Sequence, residues 1–273
     1  MTVLLQARNL RRTYPRPRTT LFQRPEPLVA VSGVSLALER GETLGIVGES
    51  GSGKSTLARM VMGFERPEAG QILFDGTDLN AVPARELQRL RTKFQMVFQD
   101  PYGSLDPRHS VGWSIAEPLR AARIDNRPAR VAEALEQVGL NHGDAARFPH
   151  EFSGGQRQRI AIARAIALRP ALIVADEAVS ALDVSVQAQI LNLLMDLQED
   201  LGLAMLFISH DLAVVAAISD RLLVMKQGEV VETGATADVF ASPAHAYTRS
   251  LLTAAQVAPA TGSSPASNRK VPA

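Results

Sequence analysis

The residues best suited to chemistry are Gly48, Glu49, Ser50, Gly51, Ser52, Gly53, Lys54 and Ser55, followed by Thr56. Their spacing is G-x-x-x-x-G-K-[ST], and each residue type has a physical task in a phosphate cradle. The glycines let the backbone turn tightly and aim successive N–H groups at phosphate oxygens, at the positive end of the helix that follows. Lys54 adds a point charge at the β- and γ-phosphates, and the Ser55 hydroxyl helps to hold Mg2+. A short apolar run (43–47, TLGIV) precedes the loop and a helical pattern (57–62, LARMVM) follows it, the setting this chemistry requires. Nucleotide binding is the starting expectation.

Three further sets of polar residues close apolar runs. Asp176 and Glu177 end the run ALIVA (171–175), which has the composition of a strand buried on both faces. Asp176 is expected to hold the Mg2+ shell, and Glu177 to orient or deprotonate an attacking water. His210 follows AMLFIS (204–209), where an imidazole can sense a γ-phosphate and keep the water in line, and Gln99 follows KFQMVF (93–98). Open α/β sheets collect their ligand-contacting residues at such carboxyl ends. Separately, Ser153, Gly154, Gly155 and Gln156 introduce the helical stretch IAIARAIAL. The paired glycines would expose N–H groups at that helix start, a second anion site apart from the first.

The elements that must position these groups follow from pattern. Residues 3–10 read as an edge strand, 14–28 as an Arg/Pro-rich loop, 31–38 as a half-buried strand, and 71–74 as a strand closed by the turn dipeptide Asp75-Gly76. Together they predict a small antiparallel sheet beside the nucleotide core. Residues 113–147 read as helical, with Val131, Leu135 and Val138 at helical spacing and Pro118, Pro128 and Pro149 as punctuation. They predict a helical subdomain inserted in the sheet. Val186, Ile190, Leu193, Leu194, Leu197 and Leu201 form the core-facing stripe of a long helix. Strands are expected at 204–209 and 221–225, then a hairpin at Lys226-Gln227-Gly228 into 229–233, and a helical pattern over 244–255.

Composition bounds the alternatives. With 273 residues and 46% hydrophobic content the chain can bury a sizeable core. A formal net charge of +1 gives no global field for nucleic acid, although residues 1–25 hold six arginines (Arg8, Arg11, Arg12, Arg16, Arg18, Arg24) and no acid. That cluster reads as a solvated surface. Cysteine is absent, which excludes disulfides, cysteine-ligated metals and iron–sulfur clusters. No apolar run approaches the ~18–20 residues needed to span a bilayer, and the opening residues lack a signal-peptide arrangement.

At the run FSGGQ (152–156) the chain resembles the ATP-binding cassette family, of whose signature FSGGQ is a variant. The resemblance covers about residues 2–255, with the motifs in the family's order. It implies an α/β fold with a P-loop NTPase core on a parallel sheet, an N-terminal antiparallel β subdomain and an inserted α-helical subdomain. The expected organisation is an ATPase domain over 1–257, with the helical signature subdomain at about 100–168 and a closing segment at about 234–257, then a disordered tail over 258–273. The resemblance further implies that Tyr14 stacks on adenine and that Gln99 touches both Mg2+ and a permease. Ser180-Ala181-Leu182-Asp183 would form a dimer-contacting loop. The signature of one subunit would cover the ATP held by another, in a head-to-tail dimer. With Lys54, Gln99, Glu177 and His210 all of the expected type, the site reads as hydrolysing.

Closer still, the chain is similar to the second ATPase subunit of bacterial dipeptide, oligopeptide and nickel importers. The carrying features are GETLGIVGESGSGKST, FQDPYGSLDPR (98–108), SPAHAYTRSLL (242–252) and the Arg/Pro insertion after Tyr14. The partners so implied are a related ATPase or a second copy, two inner-membrane permeases and an external solute-binding protein, with the chain peripheral on the cytoplasmic face of that membrane. A His-Ala-Tyr replaces the His-Pro-Tyr frequent among relatives, and the absence of cysteine excludes the cysteine-rich iron–sulfur segment in which some relatives end. A soluble cassette ATPase acting on ribosomes or DNA is the alternative, but it would normally carry two cassettes or a long coiled-coil insertion. Exporters and small-molecule phosphotransferases fit the motif set less well.

Overall fold

The computed structural model describes residues 2–16 and 26–255. In chain order the elements are β1 (Val3–Tyr14), β2 (Leu28–Glu39), β3 (Thr43–Val47), α1 (Lys54–Val61), β4 (Ala69–Phe74), β5 (Thr77–Asp78), α2 (Ala84–Leu90) and β6 (Phe94–Val97). There follow α3 (Pro101–Ser104), α4 (Val111–Ala121), α5 (Arg127–Gln137), α6 (Gly154–Ile166), β7 (Leu172–Asp176), α7 (Val184–Leu201) and β8 (Ala204–Ile208). The last are α8 (Leu212–Ile218), β9 (Arg221–Lys226), β10 (Glu229–Ala235), α9 (Thr236–Ala241) and α10 (Ala246–Ala254). Two compact units emerge. One takes the residues up to Glu39, Thr43–Val82 and the residues from Ile208 on; the other takes Arg40–Glu42 and Pro83–Phe207.

In the first unit, an antiparallel sheet has the order β2-β1-β4-β5. The expected edge strand, β1, is therefore interior, with Ala7 facing Leu36 on one side and Ile72 on the other. It also runs four residues further than its apolar pattern suggests, because β2 extends to meet it at Tyr14–Leu28. Asp75 and Gly76 both take positive φ (49° and 77°), the requirement of a tight two-residue hairpin, and Gln227 and Gly228 (49° and 86°) do the same between β9 and β10. β3 is buried along its whole length and pairs in parallel with β9, Ile46 opposite Leu223. Apolar burial on both faces is what a strand inside a parallel sheet requires. Of the expected Arg/Pro-rich loop over 14–28, residues 17–25, with Arg18 and Arg24, lie outside the described residues, while Tyr14 and Leu28 at its ends are strand residues. The expected tail over 258–273 also lies outside them, and Arg8 and Arg11 are exposed.

In the second unit, β6 and β7 are parallel, with Phe94 opposite Leu172 and Val97 opposite Ala175. Leu172 to Ala175 are all buried. The expected helices over 113–147 are α4 and α5, followed by 3-10 turns at His142–Ala146 and Pro149–Glu151. Pro128 does mark the first turn of α5, but Pro118 lies inside α4 and does not punctuate it. On α7 the stripe is core at Ile190, Leu193, Leu194 and Leu197, and Leu191 and Met195 widen it. Four helices had no clear signal in the sequence: α2, α3, α8 and α9, none longer than seven residues.

Candidate functional site

The glycine loop of the first unit is held from several sides. A Cβ on Gly48 would run into the Met225 carbonyl of β9, and one on Gly53 into the Ala30 carbonyl of β2. Both residues have positive φ (154° and 103°), so glycine is required twice over, by conformation and by space. From the β9–β10 hairpin Gly228 donates its N–H to Ser52 O (3.0 Å). Gly53 is the N-cap of α1, left-handed and without a side chain to cap the first turn. That helix start thus presents amides and the positive end of the dipole to whatever the loop encloses.

Lys54 is 5% exposed, and its ammonium donates to Gly48 O (2.6 Å), Glu49 O (2.9 Å) and the Ser52 hydroxyl (3.4 Å). The cation is stored on its own loop's carbonyls. Among the amides between Gly48 and Thr56, Ser52 N–H bonds Glu49 O (3.1 Å), and Glu49 N–H bonds the hydroxyl of Tyr247 on α10 (3.2 Å). His210 is exposed just past β8, and its neighbour Ser209 donates its N–H to Ile46 O (3.2 Å), two residues short of Gly48. Asp211 then caps α8 by accepting from Ala213 (2.8 Å) and Val214 (3.3 Å). Tyr14, at the end of β1, gives its hydroxyl to the Glu65 carboxylate, and the Arg12 guanidinium sits 5.2 Å from its ring centre.

In the second unit, Gln99 and Asp176 line one open cleft of roughly 960 Å³ together with Phe98, Asp106, Trp113 and Arg164. Glu177 follows β7 in the left-handed region (φ 51°), a conformation that costs a non-glycine residue roughly 1–2 kcal/mol. Its carbonyl accepts from both Ser180 N–H (3.1 Å) and the Ser180 hydroxyl (3.0 Å), which holds the turn in place. Asp183 begins α7, exposed, with its carbonyl taken by Gln187 N–H (2.8 Å). Within the FQDPYGSLDPR run, Arg108 grips Asp106 through its Nε (3.0 Å) and Nη2 (2.7 Å); these bonds hold the exposed carboxyl far below its ordinary range.

The FSGGQ start of α6 is built differently. Ser153 Oγ accepts Gln156 N–H (3.3 Å) while Gln156 Oε1 accepts Ser153 N–H (3.0 Å), a reciprocal capping box. Gly154 has only Leu182 near its missing Cβ, but a Cβ on Gly155 would sit 2.5 Å from Val186 Cγ1 of α7. The second glycine thus serves helix packing, a reason the sequence alone did not suggest. Two further residues of α6 were also overlooked. Gln158, fully buried, points its amide at Phe98 O (3.5 Å), and Arg164 donates to Ser104 O in the cleft wall. Burial depresses the Arg164 guanidinium below its usual range, against the pull of Glu117. Arg164 had a signal, as the one polar residue inside the apolar run IAIARAIAL, whereas Gln158 stands among polar neighbours in QRQR and had none. Tyr247 carried no local signal.

Comparison with known proteins gives a consistent picture. A family model described as "ABC transporter" matches residues 31–180. The chain is 54% identical over 259 residues to a protein of Salmonella paratyphi A (strain ATCC 9150 / SARB42) named "Glutathione import ATP-binding protein GsiA", and 52% identical over 258 residues to the protein of that name in Escherichia coli (strain K12). These alignments cover 93% of this chain but 41% of either relative, so the chain spans about two fifths of their length. Among solved structures, the ATP-binding cassette MJ0796, a dimer bound to ADP and Pi in a post-hydrolysis state, superposes with a TM-score of 0.74 and 31% identity, covering 85% of this chain and 99% of that one. The cbiO1 protein from Clostridium perfringens, part of the ABC transporter complex cbiONQ, gives 0.76 and 29%, covering 89% and 92%.

Proposed function

The chain belongs to the ABC transporter family, and from that premise we propose that it is the ATP-hydrolysing subunit of a bacterial importer for peptides or related solutes. The observation that carries this reading is the buried Lys54 ammonium, stored on the carbonyls of a glycine loop whose following helix starts without a side-chain cap. Such a loop exchanges carbonyls for phosphate oxygens at little cost, since the cation is already desolvated and oriented.

In this reading Lys54 and the loop amides hold the β- and γ-phosphates. Ser55, Gln99 and Asp176 supply oxygens to Mg2+. They offer oxygen donors only, with one carboxylate among them, and no cluster of three or more His, Cys, Asp or Glu gathers among the described residues. That donor set suits Mg2+, which keeps waters and phosphate oxygens in its shell, better than a transition metal. When bound, Mg2+ neutralises charge on the phosphate oxygens. Glu177 takes the proton of the attacking water, His210 holds that water in line, and the Tyr14 ring faces adenine. Ser153 and its neighbours, with Asp183, meet the nucleotide of a second cassette. That cassette is a related ATPase or a second copy, and two permeases and a solute-binding protein complete the assembly. No helix among the described residues is long and apolar enough to cross a membrane, so attachment is assigned to the permeases, on their cytoplasmic face. The relatives named for glutathione import direct the choice of cargo to that tripeptide and to dipeptides of similar size.

The test is a Glu177→Gln variant in detergent-solubilised membranes of the source cells. It should bind ATP as the parent does, lose turnover by about 10²–10⁴-fold, and co-purify with two permeases and a second cassette. Uptake of labelled glutathione and dipeptides should stop in the same cells. Wild-type turnover would remove Glu177 from the chemistry, and recovery with ribosomes in place of permeases would replace import by the soluble reading.

A further inference from the structure

The segment AHAYTRSLL, singled out in the sequence as a marker of kinship, contains Tyr247, which meets the phosphate loop across 198 residues of chain. Tyr247 is 7% exposed, and the polar group of a buried residue is normally hydrogen-bonded. Here the hydroxyl oxygen accepts the Glu49 N–H (3.2 Å). The ring is fixed from other directions as well. His245 Nδ1, capping α10, accepts the Tyr247 N–H (3.1 Å), the Glu232 carboxylate of β10 accepts the N–H groups of Ala244 (2.7 Å) and His245 (3.0 Å), and the Lys226 ammonium lies 4.6 Å from the ring centre.

The position of the contact gives it meaning. The Glu49 N–H and the Gly48 carbonyl belong to one peptide plane, and none of the described peptide bonds is cis. In a trans peptide the N–H and C=O point in opposite directions. One end of this plane is therefore bound to Tyr247 and the other to the Lys54 ammonium, at 2.6 Å. Gly48, whose φ is 154°, is the hinge on which such a plane can turn. Burial raises the phenol above its ordinary range, with the Glu49 N–H pulling the other way, so the oxygen remains a neutral acceptor at physiological pH.

We infer that Tyr247 is a positioning residue for the phosphate loop: it locks the Gly48–Glu49 peptide plane so that the carbonyl keeps Lys54 in the cradle before nucleotide arrives. It acts through the loop and not on ATP. The inference deepens the proposed function and rests on its assignment of residues 48–55 as the phosphate cradle.

The experiment pairs hydrogen exchange with steady-state kinetics, using the full chain and Tyr247→Phe, which keeps the ring and removes the acceptor. In the nucleotide-free parent the Glu49 amide should exchange slowly, and in Tyr247→Phe it should exchange several-fold faster while amides of α6 and α7 keep their rates. KM for Mg-ATP should rise about two- to tenfold, the worth of one neutral hydrogen bond, with kcat within a factor of two. Unchanged Glu49 exchange, or kcat falling together with general loss of protection, would overturn the positioning role. A parent chain that protects Glu49 but binds no ATP would overturn the cradle assignment instead and leave the hydrogen bond standing.

Discussion

The chain begins two helices with glycine-rich stretches, residues 48–55 before and into α1 and residues 153–156 at the start of α6, and the two look alike in the sequence but solve opposite problems. At α1 the cap is a left-handed glycine with no side chain, and the polar side chain available, Lys54, bends back on the loop carbonyls. At α6 the cap is a serine that satisfies Gln156 while Gln156 satisfies it in return. The first helix start has no side-chain cap, whereas the second is capped by its own side chains. A glycine pair at a helix start is therefore no measure of anion affinity by itself. What decides is whether the flanking side chains cap the helix or leave it open.

The largest effect that would sharpen this contrast is at Lys54. Lys54→Ala should lower the affinity for ATP by about 10–100-fold or more, since hydrogen bonds to charged groups are each worth roughly 1.5–3 kcal/mol. Titration with a fluorescent ATP analogue measures it, and an affinity equal to the parent's would end the distinction between the two sites. Next in size is Gly155→Ala. Its methyl would press on Val186 and should destabilise the protein by about 1–3 kcal/mol, read as a lower denaturant midpoint. Val186→Ala in the same chain should restore much of the loss; no rescue would mean that Gly155 is glycine for a reason other than packing. Smallest is Ser153→Ala, which removes one cap and should cost about 1 kcal/mol of stability. ATP affinity of the isolated chain should stay unchanged. A drop in that affinity would make α6 a primary phosphate site and erase the contrast.

The legibility of the molecule follows the same divide between local and distant causes. Gly48 to Ser55, the strand before them and the helix after them were readable because their signals are adjacent: a buried run, positive-φ glycines and a helix start within twenty residues. Asp176, Glu177, Gln99 and His210 were readable as residues that end apolar runs, and each does follow a strand or close one. β1 was misread as an edge strand because an interior antiparallel strand covered on one face has the same alternation as an edge strand. Pro118 was misread as a boundary since its local preference is to stop a helix, and α4 continues past it to Ala121.

By itself, the order of residues determined the family, the α/β class, the glycine loop between a buried strand and a helix, and the set of polar groups that close the buried strands. Each of these is written in neighbouring positions, where backbone preference and burial period act over a few residues. Only the tertiary structure decided that Gly155 makes room for Val186, that Gln158 reaches Phe98, and that Tyr247 holds the peptide plane which in turn holds Lys54. These pairings join residues 31, 60 and 198 positions apart. No periodicity encodes such a pairing, because it exists only once independent elements have packed and a buried donor must find the acceptor left within its reach.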